Sequence, residues 1–467
     1  MKHITIIGGG ITGLAAAYYL QKAAAGIRYT LLESEPHLGG KIATVRDAGF
    51  VVEGGPDSFI SQKPHGFQIC RDLGMEGELL PSNDATYKTR LLCDGRLVPY
   101  PEGFRLAVPP KIWPFVKSPL ISPLGKLRMG MDLFIPARRD TSDESLAHFI
   151  RRRLGNEALE RIAGPIMSGI FVADPDRMSV QSTFPMFVDL ERKYGSLTRG
   201  IIQARKASAR ASGEGRTYGV FTSLKNGMGS LVDAIAGQLK GDVRTGCTVA
   251  AIRRLEHGFQ VETLPRGTRP LMTDEVVLAV PAFTAAQFLK EMHPELSRRL
   301  EQVRYVSSAT VTFAYSEDEI SRVPDGGGFG FVVPRREKSR LLAFTWSSRK
   351  FDHRAPEGYH VVRAFIGGSR HEELALLPDN DLFNLVREEL LDIMGIKAAP
   401  VRHWIFRWKS GNPQFDVGHL DRVTEMETLA AEIPGLHLAG SAYRGLGIPD
   451  CVKSAQAAVT RICAAHA

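Results

Sequence analysis

Three glycines, Gly8, Gly10 and Gly13, stand at GxGxxG spacing, and an acid, Glu33, follows 20 residues after the last of them. These residues are suited to holding an adenine dinucleotide. The first glycine makes a tight turn, the second lets main chain approach a pyrophosphate, and the third lets a helix close on a strand. A carboxylate at Glu33 accepts hydrogen bonds from ribose hydroxyls and repels a 2′-phosphate. Ile11 opens a helix whose free N–H groups and positive end face the phosphates, and Thr12 adds a hydroxyl there.

A second set lies near the other end, in LHLAGSAYRGLGIPDCVKSAQAAV. Gly440, Gly445 and Gly447 let main chain lie against a flat ring. Ile448 and Pro449 suit the entry to a helix, and Asp450 reads as its N-cap. The positive end of that helix would stabilise an anionic reduced flavin. The two ends together point to FAD rather than NAD. Between them, Gly39, Gly40 and Lys41 form a loop expected near the pyrophosphate or flavin, and Glu53, Gly54, Gly55 and Pro56 form a second close-approach turn. Cys451 reads as a small packed residue rather than a covalent flavin link, and His419 as a structural histidine. No Ser/His/Asp set and no metal-ligand spacing stands out.

These residues need elements to position them. Ile4, Ile6 and Ile7 lie in a short apolar run that predicts a strand buried on both faces, and Tyr29 to Leu32 predicts a second. DEVVLAVPAF returns the chain to the same sheet, as does Leu436 to Ala439. Residues 284–412 alternate strands with one helix, DLFNLVREELLDIMG, and predict a mixed sheet. Residues 88–215 differ. Prolines cluster at 99, 101, 109, 110, 114, 119 and 123, and helical stretches follow. In SLAHFIRRRL, Leu146, Phe149, Ile150 and Leu154 keep helical spacing, which leaves Arg151 to Arg153 mostly on the wet face. ARKASARASGEGR (204–216) reads as an exposed loop.

The chain has 467 residues, enough for two or three domains. Its 43% hydrophobic and 24% charged content is that of a soluble globular protein. Five scattered cysteines argue against a disulfide framework or zinc site and for a reducing compartment. The first strand begins at once, so neither a signal nor a transit peptide is expected, and no apolar run is long enough to span a bilayer. The net charge is +8, and residues 88–215 carry all of it, with 21 Lys and Arg against 13 Asp and Glu. That excess suits an anionic small molecule or a membrane surface. No aromatic–basic pattern suggests nucleic-acid binding.

GGGITGLAAAYYL, LGGKIATV, VVEGGPDSF, PIMSGIFVADP, STFP and GLGIPDCV together resemble the flavin-dependent porphyrinogen oxidases, of the wider monoamine oxidase and phytoene desaturase superfamily. The likeness covers nearly the whole chain. It implies an α/β plus α+β architecture in three modules. The first is a discontinuous, Rossmann-like FAD domain of glutathione reductase type (1–57, 216–282 and 413–467). The second is a mixed-sheet substrate domain (58–87 and 283–412). The third is a helical, membrane-associating lid (88–215). It implies non-covalent FAD held by Gly8, Gly10, Ile11, Thr12, Gly13, Glu33, Gly40, Lys41, Gly54, Gly55 and Pro56, with Val249 and the closing Gly440, Gly447, Ile448 and Pro449.

The resemblance also implies a reaction. Coproporphyrinogen III loses six electrons in three steps, each passing hydride to flavin N5, and O2 takes the electrons as H2O2. Protoporphyrinogen IX is the alternative substrate. Lys63 matches the lysine proposed to meet a substrate propionate, and Ile170 and Phe171 match the pocket wall; Phe331 is a weaker match. The chain departs from its relatives at Gly54, where a basic residue is usual. The implied setting is a cytoplasmic monomer or homodimer, in peripheral contact with membrane, handing product to the next haem-pathway enzyme. A flavin amine oxidase would share both cofactor motifs, with Trp404 and Trp408 its only nearby aromatic pair. A non-catalytic FAD- or porphyrin-binding partner is the non-enzyme reading.

Overall fold

The computed structural model describes residues 2–23, 26–83, 88–100, 118, 120–211, 219–265, 267, 269–320, 323 and 328–465. Five strands form a parallel sheet in the order Asp242–Arg244, Ile27–Leu32, Lys2–Ile7, Glu275–Leu278 and Leu436–Leu438. Ile4, Thr5 and Ile6 are all buried, as a strand covered on both faces requires. One strand alone separates the strand of the first glycine motif from that of the second. The opening helix (Ile11–Ala23) therefore packs on the closing helix (Ile448–Ala464), with Leu14, Ala15, Tyr18, Val452, Ala455 and Val459 in one core. The two ends of the chain build one face.

A second, seven-stranded sheet runs in the order Arg402–Pro413, Tyr305–Ser316, Tyr359–Gly367, Leu341–Trp346, Gly328–Val332, Lys88–Cys93 and Arg96–Pro99. It is mixed, because Gly328–Val332 pairs parallel with Lys88–Cys93 while the other pairs are antiparallel. The helix Asp379–Met394 covers it through Leu382, Val386 and Leu390. Residues 88–99 thus belong to this sheet, not to the helical module, whose expected start at 88 lies two strands too early. Phe59–Ile60 and Leu79–Pro81 both pair with Phe221–Leu224, which carries the chain back from the helical module.

The helical module includes Pro123–Gly130, Leu146–Leu154, Gly164–Phe171, Pro185–Tyr194 and Leu197–Ala211. Ser122 and Ser145 cap the first two, accepting from Gly125 N and His148 N. Of the arginine triplet only Arg151 lies on the wet face; Arg152 is half-buried and Arg153 is turned inward. Arg153 is fully buried, with its Nε 2.6 Å from Asp132 Oδ1, and Arg152 bonds Glu191 at 2.6 Å. Asp132 Oδ2 in turn accepts from Ser196 Oγ and Thr198 N. The expected loop at 204–216 is helical through Ala211, and residues 212–216 lie outside the described residues, as do prolines 101, 109, 110, 114 and 119. Among the described residues no helix is long and apolar enough to cross a membrane.

Candidate functional site

The first glycine turn has the shape its spacing predicts. A Cβ on Gly13 would lie 1.9 Å from Gly8 O, so only glycine lets the opening helix sit on its strand. Gly8 has φ +107°, and a Cβ there would meet Ala279 O at 2.5 Å. Gly10 differs: nothing lies within 4 Å of where its Cβ would be. Its bare main chain is left open for a ligand. Glu33 pins the turn by accepting from Gly9 N at 2.6 Å and Glu35 N at 2.8 Å. The Gly39–Gly40 loop lies against it, with Gly39 N donating to Gly9 O at 2.9 Å. Next comes Lys41, which has no hydrogen-bond partner among the described residues and whose pKa is lowered by burial. Val249 is buried at the start of its strand, in the core beside Ile7 and Leu32.

The second turn closes on the first. Gly440 has φ +134°, its N–H donates to Ser454 Oγ, and the nearest atom to its would-be Cβ is Thr12 Oγ1 at 4.0 Å. The helix beyond begins at Ile448, with Gly447 as N-cap and Pro449 in its first turn. Asp450 is therefore not the N-cap. It sits inside the first turn and accepts from Gly447 N at 3.2 Å. Lys63 Nζ donates to both Asp450 carboxylate oxygens, at 2.7 and 2.6 Å. Cys451 is buried, which raises its thiol pKa, as befits a packed residue. His419 is buried and stacked 3.9 Å from Phe415, with Nε2 2.7 Å from Tyr443 O. Burial lowers its pKa to about 4.

The turn at Gly54 and Gly55 is gripped from the second sheet, by residues the sequence reading missed or assigned otherwise. Gly54 O accepts from Thr310 Oγ1 at 3.1 Å, Arg363 Nη2 at 2.9 Å and Trp408 Nε1 at 2.9 Å. Arg363 Nη2 also reaches Gly55 O at 2.7 Å, while its buried Nε has no partner. A Cβ on Gly54 would strike Phe406 at 2.4 Å, and one on Gly55 would strike Lys41 O at 1.7 Å. That explains why no basic side chain stands at Gly54. Beyond Pro56, Lys350 bonds Asp57 at 2.8 Å. Burial pushes Asp57 up, yet Lys350 and Arg363 hold it well below the usual carboxylate range. Alternation over Ala309–Phe313 was the sequence signal for Thr310, and the apolar run Tyr359–Gly367 gave none for Arg363.

Gly9, Gly39, Lys41, Gly55 and Thr12 are thus linked in one neighbourhood, with Lys63 and Asp450 at the start of the closing helix. Phe171 is edge-on to Phe184 at 5.3 Å in the helical module. Ile170 is on the same helix, but its side chain lies outside the described residues. Phe331 stacks on Phe344 at 5.1 Å in the core of the second sheet. Trp404 packs on Phe50 at 5.7 Å, so it and Trp408 are engaged separately. No group of metal-ligating residues exists among the described residues.

The family model of the flavin containing amine oxidoreductases matches residues 11–463. The chain belongs to this family. It is 38% identical to a coproporphyrinogen III oxidase of Bacillus subtilis (strain 168), covering 98% of this chain and 97% of that one. It is 30% identical to the chloroplastic protoporphyrinogen oxidase 1 of Arabidopsis thaliana, covering 96% and 86%. A crystal structure from Exiguobacterium sp. 255-15, named as a candidate protoporphyrinogen oxidase, superposes with TM-score 0.88 at 35% identity, covering 99% and 98%. This chain is a flavin-dependent oxidoreductase. Its cofactor is FAD, since the family is flavin-containing and the turn around Gly10 and Glu33 is a dinucleotide cradle. Open main chain at Gly10 and the Lys41 amine, unpartnered among the described residues, whose charge burial disfavours until an anion is beside it, fit an anionic dinucleotide.

Proposed function

We propose that this enzyme oxidises coproporphyrinogen III to coproporphyrin III in haem biosynthesis, three O2 becoming three H2O2. The observation that carries the reading is the end-to-end likeness to the Bacillus subtilis coproporphyrinogen III oxidase, higher than that to the chloroplast protoporphyrinogen oxidase. Bound FAD supplies the two-electron acceptor that O2 reoxidises. The chain's own residues bind and orient. Gly8 and Gly13 shape the turn that lets Gly10 receive the pyrophosphate, Glu33 receives the ribose, and Gly40, Lys41, Gly54, Gly55 and Pro56 the middle of the cofactor. Gly440, Gly447, Ile448 and Pro449 receive its ring end, and Val249 supports the adenosine side. Each two-electron step also releases one macrocycle proton to solvent, two from pyrrole nitrogens and one from a meso carbon over the three steps, so no side chain is asked to shuttle it.

Lys63 binds a propionate of the substrate, and Ile170 and Phe171 form the wall of its pocket. Coproporphyrinogen carries four carboxylates and protoporphyrinogen two, which suits the former to a basic protein. One lost charge-assisted contact is worth about 1.5–3 kcal/mol, so Lys63→Met raises KM for coproporphyrinogen roughly ten- to a hundredfold while flavin absorbance holds. Unchanged KM in steady-state porphyrin fluorescence contradicts the assignment.

The modules follow the same reading. The FAD domain comprises 1–57, 216–282 and 413–467, the second sheet belongs to the substrate domain, and the helical module forms a lid that meets the membrane. Leu124, Leu127, Met131 and Phe134 support the last point, being 79%, 68%, 49% and 83% exposed at spacing near that of one helical face. On this reading the enzyme works in the cytoplasm at the membrane surface, where product passes to the next enzyme of haem synthesis. Wild-type protein should float with phosphatidylglycerol vesicles, and the double change Leu127→Ser and Phe134→Ser should abolish flotation. Equal flotation of both proteins refutes the contact.

A further inference from the structure

Lys63 and Asp450 lie 387 residues apart in sequence and meet where two helices start. Lys63 precedes the helix Pro64–Asp72, and Asp450 sits in the first turn of the closing helix. The lysine ammonium has three N–H donors, and the two carboxylate oxygens take two of them. The carboxylate is held from behind by Gly447 N–H at 3.2 Å. It fills the space that Gly445 leaves, for a Cβ there would stand 2.4 Å from Asp450 Cγ. The two partners are unequally covered, with side-chain exposures of 47% for Lys63 and 15% for Asp450. The anion is fixed and the cation faces outward.

We propose that Asp450 is the resident counter-anion of Lys63, standing on the N–H donors that a substrate carboxylate must take over. The proposal rests on the reading of Lys63 as the propionate contact. A half-exposed ion pair is held weakly, so an incoming carboxylate can open it. Asp450 then keeps its bond to Gly447 N–H at the positive end of the closing helix, so the displaced anion retains a partner. A ligand without a carboxylate gains nothing at Lys63 to offset opening the pair. Asp450 is thus a specificity-determining residue that admits carboxylate-bearing macrocycles and sets how tightly they bind.

The test uses the flavin-loaded enzyme and fluorescence titration with coproporphyrin III, as free acid and as tetramethyl ester. Asp450→Asn keeps an acceptor for the helix start and removes the charge. It should tighten free-acid binding about two- to fivefold, the worth of one such pair, and leave ester binding unchanged. KM for coproporphyrinogen III should fall in parallel while kcat holds, and raised salt should erase the gain. Asp450→Glu restores wild-type affinity, and Asp450→Ser gives the same answer as Asn should the Asn variant fold poorly. Weaker or unchanged free-acid binding in the charge-removing variants, or equal changes for acid and ester, overturns the proposal. Lys63→Met separates the two claims: if it leaves free-acid binding unchanged, the propionate reading itself fails.

Discussion

His419 is a residue whose role follows from its surroundings. Its ring lies flat on Phe415 and its Nε2 meets Tyr443 O, tying the helix His419–Ala431 to the closing loop. Burial disfavours the imidazolium, and the nearby Arg422 and Arg444 oppose it further, so the folded pKa is about 4 against an ordinary 6.5. The unfolded chain therefore takes up a proton near pH 6.5 while the folded protein does not. Stability is full above pH 6.5 and falls as pH drops toward 4, by up to about 3 kcal/mol from this group. His419→Gln keeps a donor without the titration, so urea midpoints at pH 7.5 and 5 should converge relative to wild type. An undiminished pH slope in the variant contradicts this. The sequence alone favours a structural histidine here. It also makes Gly8, Gly10, Gly13 and Glu33 legible, because each is demanded by local backbone geometry. Arg363 and Trp408 are not legible in that way, since their purpose is to reach the Gly54 carbonyl from strands more than 300 residues away in sequence.

At the scale of elements, the arginine triplet is the instructive case. Leu146, Phe149, Ile150, Arg153 and Leu154 follow the i, i+3, i+4, i+7, i+8 spacing of one helical face. Arg153 thus falls on the apolar face, and its charge hid a position that spacing had already given. Asp132, Ser196 and the Gly195 carbonyl complete its surroundings from other segments. Removing the Asp132 charge leaves Arg153 a longer ionic contact, to Glu191 at 3.4 Å, so the low end of the about 3–5 kcal/mol cost of breaking a buried pair is expected. Asp132→Asn should lower the urea-unfolding free energy by that order. A loss under about 1 kcal/mol would mean the pair is no keystone of the module. The closing helix makes a similar point through proline. A proline is tolerated in the first turn of a helix, where its missing N–H has no partner to lose. The helix containing Pro449 accordingly starts before it, at Ile448, and Asp450 falls inside the first turn rather than ahead of it.

At the scale of the molecule, the order of the parallel sheet explains why motifs more than 400 residues apart in sequence form one cofactor site. Lys2–Ile7 and Leu436–Leu438 flank Glu275–Leu278, and the two long helices that follow them pack together. Apolar strands and glycine turns made this sheet readable. The second sheet was harder, because Lys88–Cys93 and Arg96–Pro99 join it across a long insertion, and strand pairing at that distance leaves no periodic mark. What the assembled molecule acts on is the central claim. The direct measurement is the growth of porphyrin fluorescence in air with the flavin-loaded protein, coproporphyrinogen III and protoporphyrinogen IX being offered separately. A higher kcat/KM for coproporphyrinogen III is expected. Faster oxidation of protoporphyrinogen IX, or of neither, would contradict it.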